Sequence, residues 1–130
     1  MIDKLFTYGT LQFADIFQRI SAIQRPLRHA RLSGYARYAM RGRDYPAILP
    51  QAGGVVEGVL YLGIGPAAIK RLDAFEGSEY RRELVLVEDA RGRRLRAWCY
   101  ILKPEYHCRL TDQPWDSEVF RQNALDRYRR

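Results

Sequence analysis

The residues that build metal centres and disulfide frameworks are scarce in this chain: among 130 residues there are two cysteines and two histidines. Cys99, Cys108, His29 and His107 match no standard zinc spacing, so no metal is expected. A reducing compartment keeps thiols free by default; a Cys99–Cys108 bridge is geometrically possible, but nothing in the sequence requires it. No apolar run is long enough to span a bilayer. The N-terminus has no basic region followed by a long apolar stretch, so no signal peptide is evident and a cytoplasmic location is expected. No repeat, linker or low-complexity stretch interrupts residues 1–130, which read as a single domain with one core. There is no Ser-His-Asp or Cys-His arrangement, which removes the usual enzyme nucleophiles from consideration.

Positive charge is abundant. Lys and Arg number 22 against 15 Asp and Glu, giving a net charge of +7. Arginines gather at Arg25, Arg28, Arg31, Arg37, Arg41 and Arg43, and again at Arg91, Arg93, Arg94 and Arg96. Without a helix-turn-helix, zinc finger or ribonucleoprotein motif, this charge reads as a solvated basic face that attracts small anions rather than as a nucleic-acid surface. The hydrophobic content of 47% excludes a disordered chain.

Apolar spacing predicts a short first strand over residues 4–8 and a helix over 12–21, carried by Phe13, Ile16, Phe17 and Ile20. Residues 27–40 read as extended, with a bulge or close approach at Gly34. A polar turn at 41–44 leads to an extended segment over 45–50, whose prolines suggest an edge position. Residues 51–54 read as a loop, 55–62 as a strong strand, and 66–76 as a helix with Pro66 in its first turn. Strands follow over 80–88 and 94–102, joined by a turn at Asp89-Ala90-Arg91-Gly92. Leu84 to Val87 is apolar on both faces, as in a covered sheet or barrel wall. On the last strand Leu95, Ala97, Cys99 and Ile101 fall on one face, Trp98 and Tyr100 on the other. Residues 103–115 read as irregular. Asp116 caps a final helix with Val119, Phe120 and Tyr128 on its apolar face and a basic end over 127–130. The short connections favour antiparallel pairing, so the expected class is α+β: a small mixed, mainly antiparallel β-barrel flanked by helices.

Two stretches carry candidate chemistry. In Tyr8-Gly9-Thr10-Leu11 a strand meets a helix; amides opening a helix lack internal partners and suit a carboxylate or an oxyanion, although an ordinary tight turn has the same sequence. In Leu72-Asp73-Ala74-Phe75-Glu76-Gly77 the spacing places Leu72 and Phe75 on one apolar face with Ile69 a turn earlier. Glu76 continues that face at the last turn. A carboxyl drawn into packed structure there has a raised pKa suited to proton transfer near neutral pH; an exposed glutamate at a fraying helix end fits the same residues. Asp73, one turn before Glu76, either raises that pKa by repulsion or is solvated or paired with Arg71 or Arg81. Glu79 is a rival acid in a loop.

Taken in order, Tyr8-Gly9-Thr10-Leu11, Val56-Glu57-Gly58-Val59-Leu60-Tyr61, Leu72-Asp73-Ala74-Phe75-Glu76 and Tyr80-Arg81-Arg82 resemble the gamma-glutamylcyclotransferase-like superfamily. The branch in question includes gamma-glutamylamine cyclotransferase and the plant avirulence-induced proteins. Tyr45-Pro46-Ala47-Ile48 and Ala97-Trp98-Cys99-Tyr100 are similar to further family segments, and the resemblance weakens after Lys103. It implies a small barrel with flanking helices, and an enzyme that closes a gamma-glutamyl amine or peptide to 5-oxoproline and frees the amine without a cofactor. It implies Glu76 as general acid/base and Tyr8, Gly9, Thr10 and Leu11 as the loop gripping the glutamyl group. Tyr80 and Tyr100 are expected either to face the substrate's charged groups or to pack with satisfied hydroxyls. The other function class compatible with the residues is a non-catalytic module of the same fold that binds a small ligand or serves as an interaction domain. The leaving amine and the oligomeric state are left open.

Overall fold

Five strands close on themselves. In the computed structural model, which describes residues 2–123 and 125–129, the strands are β1 (Lys4–Thr7), β2 (Leu27–Met40), β3 (Pro46–Leu62), β4 (Tyr80–Asp89), β5 (Arg94–Leu102) and β6 (Leu110–Pro114). Hydrogen bonding runs β3–β1–β5–β4–β2 and returns from β2 to β3, while β6 lies outside the ring on β2. The β1–β5 pairing is parallel, Leu5 opposite Trp98 and Phe6 opposite Cys99; the other ring pairings are antiparallel. This is the mixed barrel expected from the sequence. Among the described residues, helical segments flank it: α1 (Ala14–Ser21), α2 (Pro66–Glu76), α3 (Ser117–Asn123) and α4 (Leu125–Arg129).

The alternation of β5 separates two apolar layers. Ala97, Cys99 and Ile101 point into the barrel with Phe6, Ile48, Val56, Leu60 and Val87. Tyr100 and Leu102 point outward, into a layer shared with Leu5, Tyr61 and the helical residues Ile16, Phe17, Ile69 and Leu72. In that outer layer Phe17 stacks on Tyr61 at 3.7 Å between centroids, a contact worth about 1 kcal/mol beyond the area it buries. The Tyr61 hydroxyl donates to the Leu11 carbonyl at 2.8 Å, tying the end of β1 to the barrel wall.

Several expectations need correction. Residues 46–62 form one strand, not two segments with a loop between them. The register jumps from Ser33 opposite Val55 to Tyr35 opposite Pro50. Residues 51–54 are therefore an excursion facing Gly34, and turn-like composition hides a strand that resumes its partner. Residues 103–115 are ordered as a 3-10 turn, Pro104–Arg109, followed by β6; a polar strand pairing along one side shows no alternation. Leu84 and Leu86 are 44% and 52% exposed, so β4 is covered on one face only. In the final helical stretch Val119 is 52% exposed while Phe120 is buried. Asp116 does cap α3, accepting the Glu118 amide at 2.7 Å. The expected basic end includes Arg130, which lies outside the described residues. Cys99 is buried and Cys108 exposed, and both thiols are free.

Candidate active site

Helix α2 delivers the acid. Pro66 opens it, and Ala68, Ile69 and Leu72 bury its inner face. Positions 68, 72 and 76 form a row spaced by four residues, so Glu76 follows Leu72 toward the barrel. Phe75, expected on that face, is rotated off it and is 37% exposed. Gly77, at φ 78°, ends the helix directly after Glu76, its amide bonding the Asp73 carbonyl at 3.1 Å. A residue with a Cβ would be strained in that conformation.

Strand β1 delivers the loop. After Thr7 the chain turns at Gly9 into a 3-10 turn, Thr10–Gln12. A Cβ on Gly9 would stand 2.9 Å from Cδ of Pro46, so only glycine lets the loop pass β3 this closely. The Gln12 amide bonds the Gly9 carbonyl and the Phe13 amide the Thr10 carbonyl. The amides of Thr10 and Leu11, which open the turn, meet no acceptor among the described residues. The Tyr8 carbonyl is held by the Arg37 guanidinium at 2.7 Å.

The acid and the loop line one cavity of about 220 Å³. Tyr8, Gly9, Thr10 and Leu11 form one wall; Glu76, Tyr80 and Tyr100 stand in the others. Glu76 is half-buried. Burial first, and the Asp73 carboxylate one turn earlier second, push its pKa up to about 8; no hydrogen-bond donor among the described residues offsets them.

The hydroxyl protons of the three tyrosines are already committed. Tyr8 donates to the Tyr100 carbonyl at 2.6 Å, Tyr80 to the Pro46 carbonyl at 3.0 Å, and Tyr100 to Asp73 Oδ1 at 2.7 Å. Of the two expectations for Tyr80 and Tyr100, the satisfied hydroxyl describes both, yet each still lines the cavity. A phenol whose proton is spent offers only lone pairs to a ligand. Burial raises the pKa of all three, and the charge of Glu76 adds to the rise in each, so they stay neutral. The Glu76 carboxyl and the Tyr80 and Tyr100 oxygens thus stand across the cavity from the loop that carries the Thr10 and Leu11 amides.

Asp73 pairs with Arg82 at 2.9 Å rather than with Arg71 or Arg81. Arg82 also lies 4.2 Å above the Trp98 ring, and Arg71 bonds the Ser21 carbonyl. Glu79 is engaged by Arg109 and does not line the cavity. Six cavity residues escaped the sequence reading as site residues: Phe6, Thr7, Tyr45, Pro46, Phe75 and Tyr128. Tyr45 had a signal, the Tyr-Pro that starts a strand beside the loop. Tyr128 had none, because only the docking of α4 brings it there. No cluster of three or more His, Cys, Asp or Glu side chains suited to a metal ion occurs among the described residues, and no helix is long and apolar enough to cross a membrane.

Residues 5–117 match the family described as gamma-glutamyl cyclotransferase, AIG2-like. AIG2-like protein C of Arabidopsis thaliana is 36% identical over 123 residues, an alignment covering 92% of this chain and 69% of that protein. The solution structure of another Arabidopsis thaliana protein superposes with a TM-score of 0.74 at 24% identity, covering 97% of this chain and 85% of that one. A gamma-glutamyl cyclotransferase structure superposes with a TM-score of 0.70 at 17% identity, covering 80% and 73%. At these identities the structural likeness is one of fold.

Proposed function

The chain belongs to the gamma-glutamyl cyclotransferase, AIG2-like family, and from that premise we propose that it releases 5-oxoproline and a free amine from a gamma-glutamyl amine or peptide, with Glu76 as general acid/base. One observation carries the reading. A carboxyl bonded to no donor among the described residues and two unpartnered amides line the same small cavity.

The substrate brings its own nucleophile, an α-amine that is protonated at neutral pH. Its ammonium is received by the Glu76 carboxylate and the oxygens of Tyr80 and Tyr100. Glu76 takes one proton, and the freed amine attacks the γ-carbonyl carbon. The carbonyl oxygen becomes an oxyanion facing the Thr10 and Leu11 amides, stabilisation worth about 3 kcal/mol for donors of this kind. Glu76 then returns its proton to the departing nitrogen and the carbon–nitrogen bond breaks; the ring nitrogen passes its surplus proton through the Glu76 carboxylate to the departing amine, which leaves as an ammonium. The new five-membered lactam is 5-oxoproline. Holding amine and carbonyl of one molecule together removes much of the entropic barrier, and a carboxyl titrating near the working pH serves both proton transfers.

Incubation with gamma-glutamyl amino acids and amines, with 5-oxoproline measured by mass spectrometry, tests the proposal. Release by the wild type and its loss in Glu76→Gln are the expected results. Saturable binding of these compounds with no product over long incubation overturns the enzymatic reading in favour of a ligand-binding module.

A further inference from the structure

Phe6, Tyr8, Tyr80 and Tyr100 of the cavity are buried, but three of its aromatic residues are not. Tyr45 and Tyr128 are half-buried and Phe75 is exposed, so these three rings form the open lip. In the reaction proposed above, the glutamyl group occupies the closed part between Glu76 and the loop. The leaving amine must then extend across the lip, since it departs from that side.

The charges around the lip do not balance. Asp44 is paired with Arg127 at 3.1 Å, and Glu79 with Arg109. Arg43 sits 5.7 Å from the Tyr45 ring and has no carboxylate partner among the described residues. Its positive charge also bears on Tyr80 and Tyr128. With Asp44 and Glu79 both paired, a cation without a carboxylate partner among the described residues stands over the Tyr45 ring.

We propose that Tyr45, Phe75 and Tyr128 form a leaving-amine subsite and that Arg43 makes it selective for amines carrying an apolar body and an anionic group. A flat or apolar body packs on the three rings, and a carboxylate beyond it reaches the guanidinium. A cationic group at the same position meets repulsion instead. This rests on the proposed reaction for the direction in which the amine lies.

The test uses the gamma-glutamyl amides of para-carboxybenzylamine, benzylamine and para-(aminomethyl)benzylamine, which share one ring and differ in charge. In the wild type, kcat/KM is expected to fall in that order, about threefold per step, the size of a partly exposed ion pair. Arg43→Gln, a change at an exposed side chain, flattens the series. The same three compounds are titrated calorimetrically into Glu76→Gln, so that binding is read without turnover. If no compound yields 5-oxoproline but the order persists in binding, the reaction is wrong and the subsite stands. Equal binding of the three compounds, or a series unchanged in Arg43→Gln, overturns the subsite.

Discussion

Asp89 closes the β4–β5 hairpin and Glu76 closes helix α2; both carboxyls are withdrawn from water, yet their surroundings pull them in opposite directions. Only 2% of the Asp89 side chain is exposed. Burial alone would raise its pKa, but the amides of Arg93 and Arg91 and the Arg93 guanidinium outweigh that and hold the carboxyl below its usual range. Arg28 adds a further cation at 3.6 Å. Every neighbour of Asp89 stabilises its charge, which makes it a structural clasp for the turn. Glu76 has the same chemistry and none of that help. Its nearest charged influence is another carboxylate. A carboxyl left without donors is free to take an external partner, as the proposed reaction requires.

The sharpest way to break this contrast is to remove each charge in turn. Glu76→Gln is expected to lower kcat/KM for 5-oxoproline release by about a thousandfold, in line with the loss of a general acid/base, with an unchanged circular dichroism spectrum. Asp89→Asn is expected to leave kcat/KM unaltered.

The second test is the pH dependence of stability, where the two acids act with opposite sign. For Glu76 the folded pKa is about 8 against about 4.3 in an unfolded chain. Below pH of about 4 both states are protonated and there is no cost. Between there and pH 8 the unfolded state gives up its proton and the folded state does not, so stability falls as pH rises. Urea titrations should show Glu76→Gln matching the wild type near pH 4 and exceeding it by about 2–4 kcal/mol above pH 8. Asp89, with a lowered folded pKa, stabilises the fold above the ordinary aspartate range and loses that contribution as pH falls through its own value. Asp89→Asn is therefore expected to lower the urea midpoint at neutral pH and to converge with the wild type in strong acid.

The smallest effect refines the account of Glu76. Asp73→Asn removes the repulsive neighbour but keeps an oxygen for Tyr100 and Arg82. The rising limb of kcat/KM against pH should move down by about half a pH unit, while burial holds the rest of the shift. An unmoved limb would show that Arg82 already screens Asp73 completely.

The contrast between the two acids was half legible in the sequence. Asp89 stood at a recognisable turn, and Glu76 stood on a helical row with Leu72, so local spacing placed both. What spacing could not supply was the company each keeps. Nothing in residues 72–76 reveals that Tyr100, two strands onward, spends its proton on Asp73, or that Arg82 rather than Arg71 or Arg81 answers that acid. The barrel class followed from strand alternation and short connections. The excursion at 51–54 and strand β6 did not: the first shows only in the register of its flanks against β2, and the second is held by pairing with β2 rather than by its own pattern. Tyr128 reaches the cavity through the packing of Leu125 and Phe120, a tertiary event without a local signature.

The parallel pairing of β1 with β5 has a consequence for how the molecule comes into being. Residues 4–7 leave the ribosome ahead of both their partners: they find one neighbour in β3, but their other flank waits for residues 98 and 99. Until those emerge the wall stays open, and the hydroxyl of Tyr8 has no carbonyl of Tyr100 to reach. The loop is translated before β5 and finished only with it. Nascent chains arrested at successive lengths should acquire protease resistance only after β5 has cleared the exit tunnel, and ligand affinity no sooner.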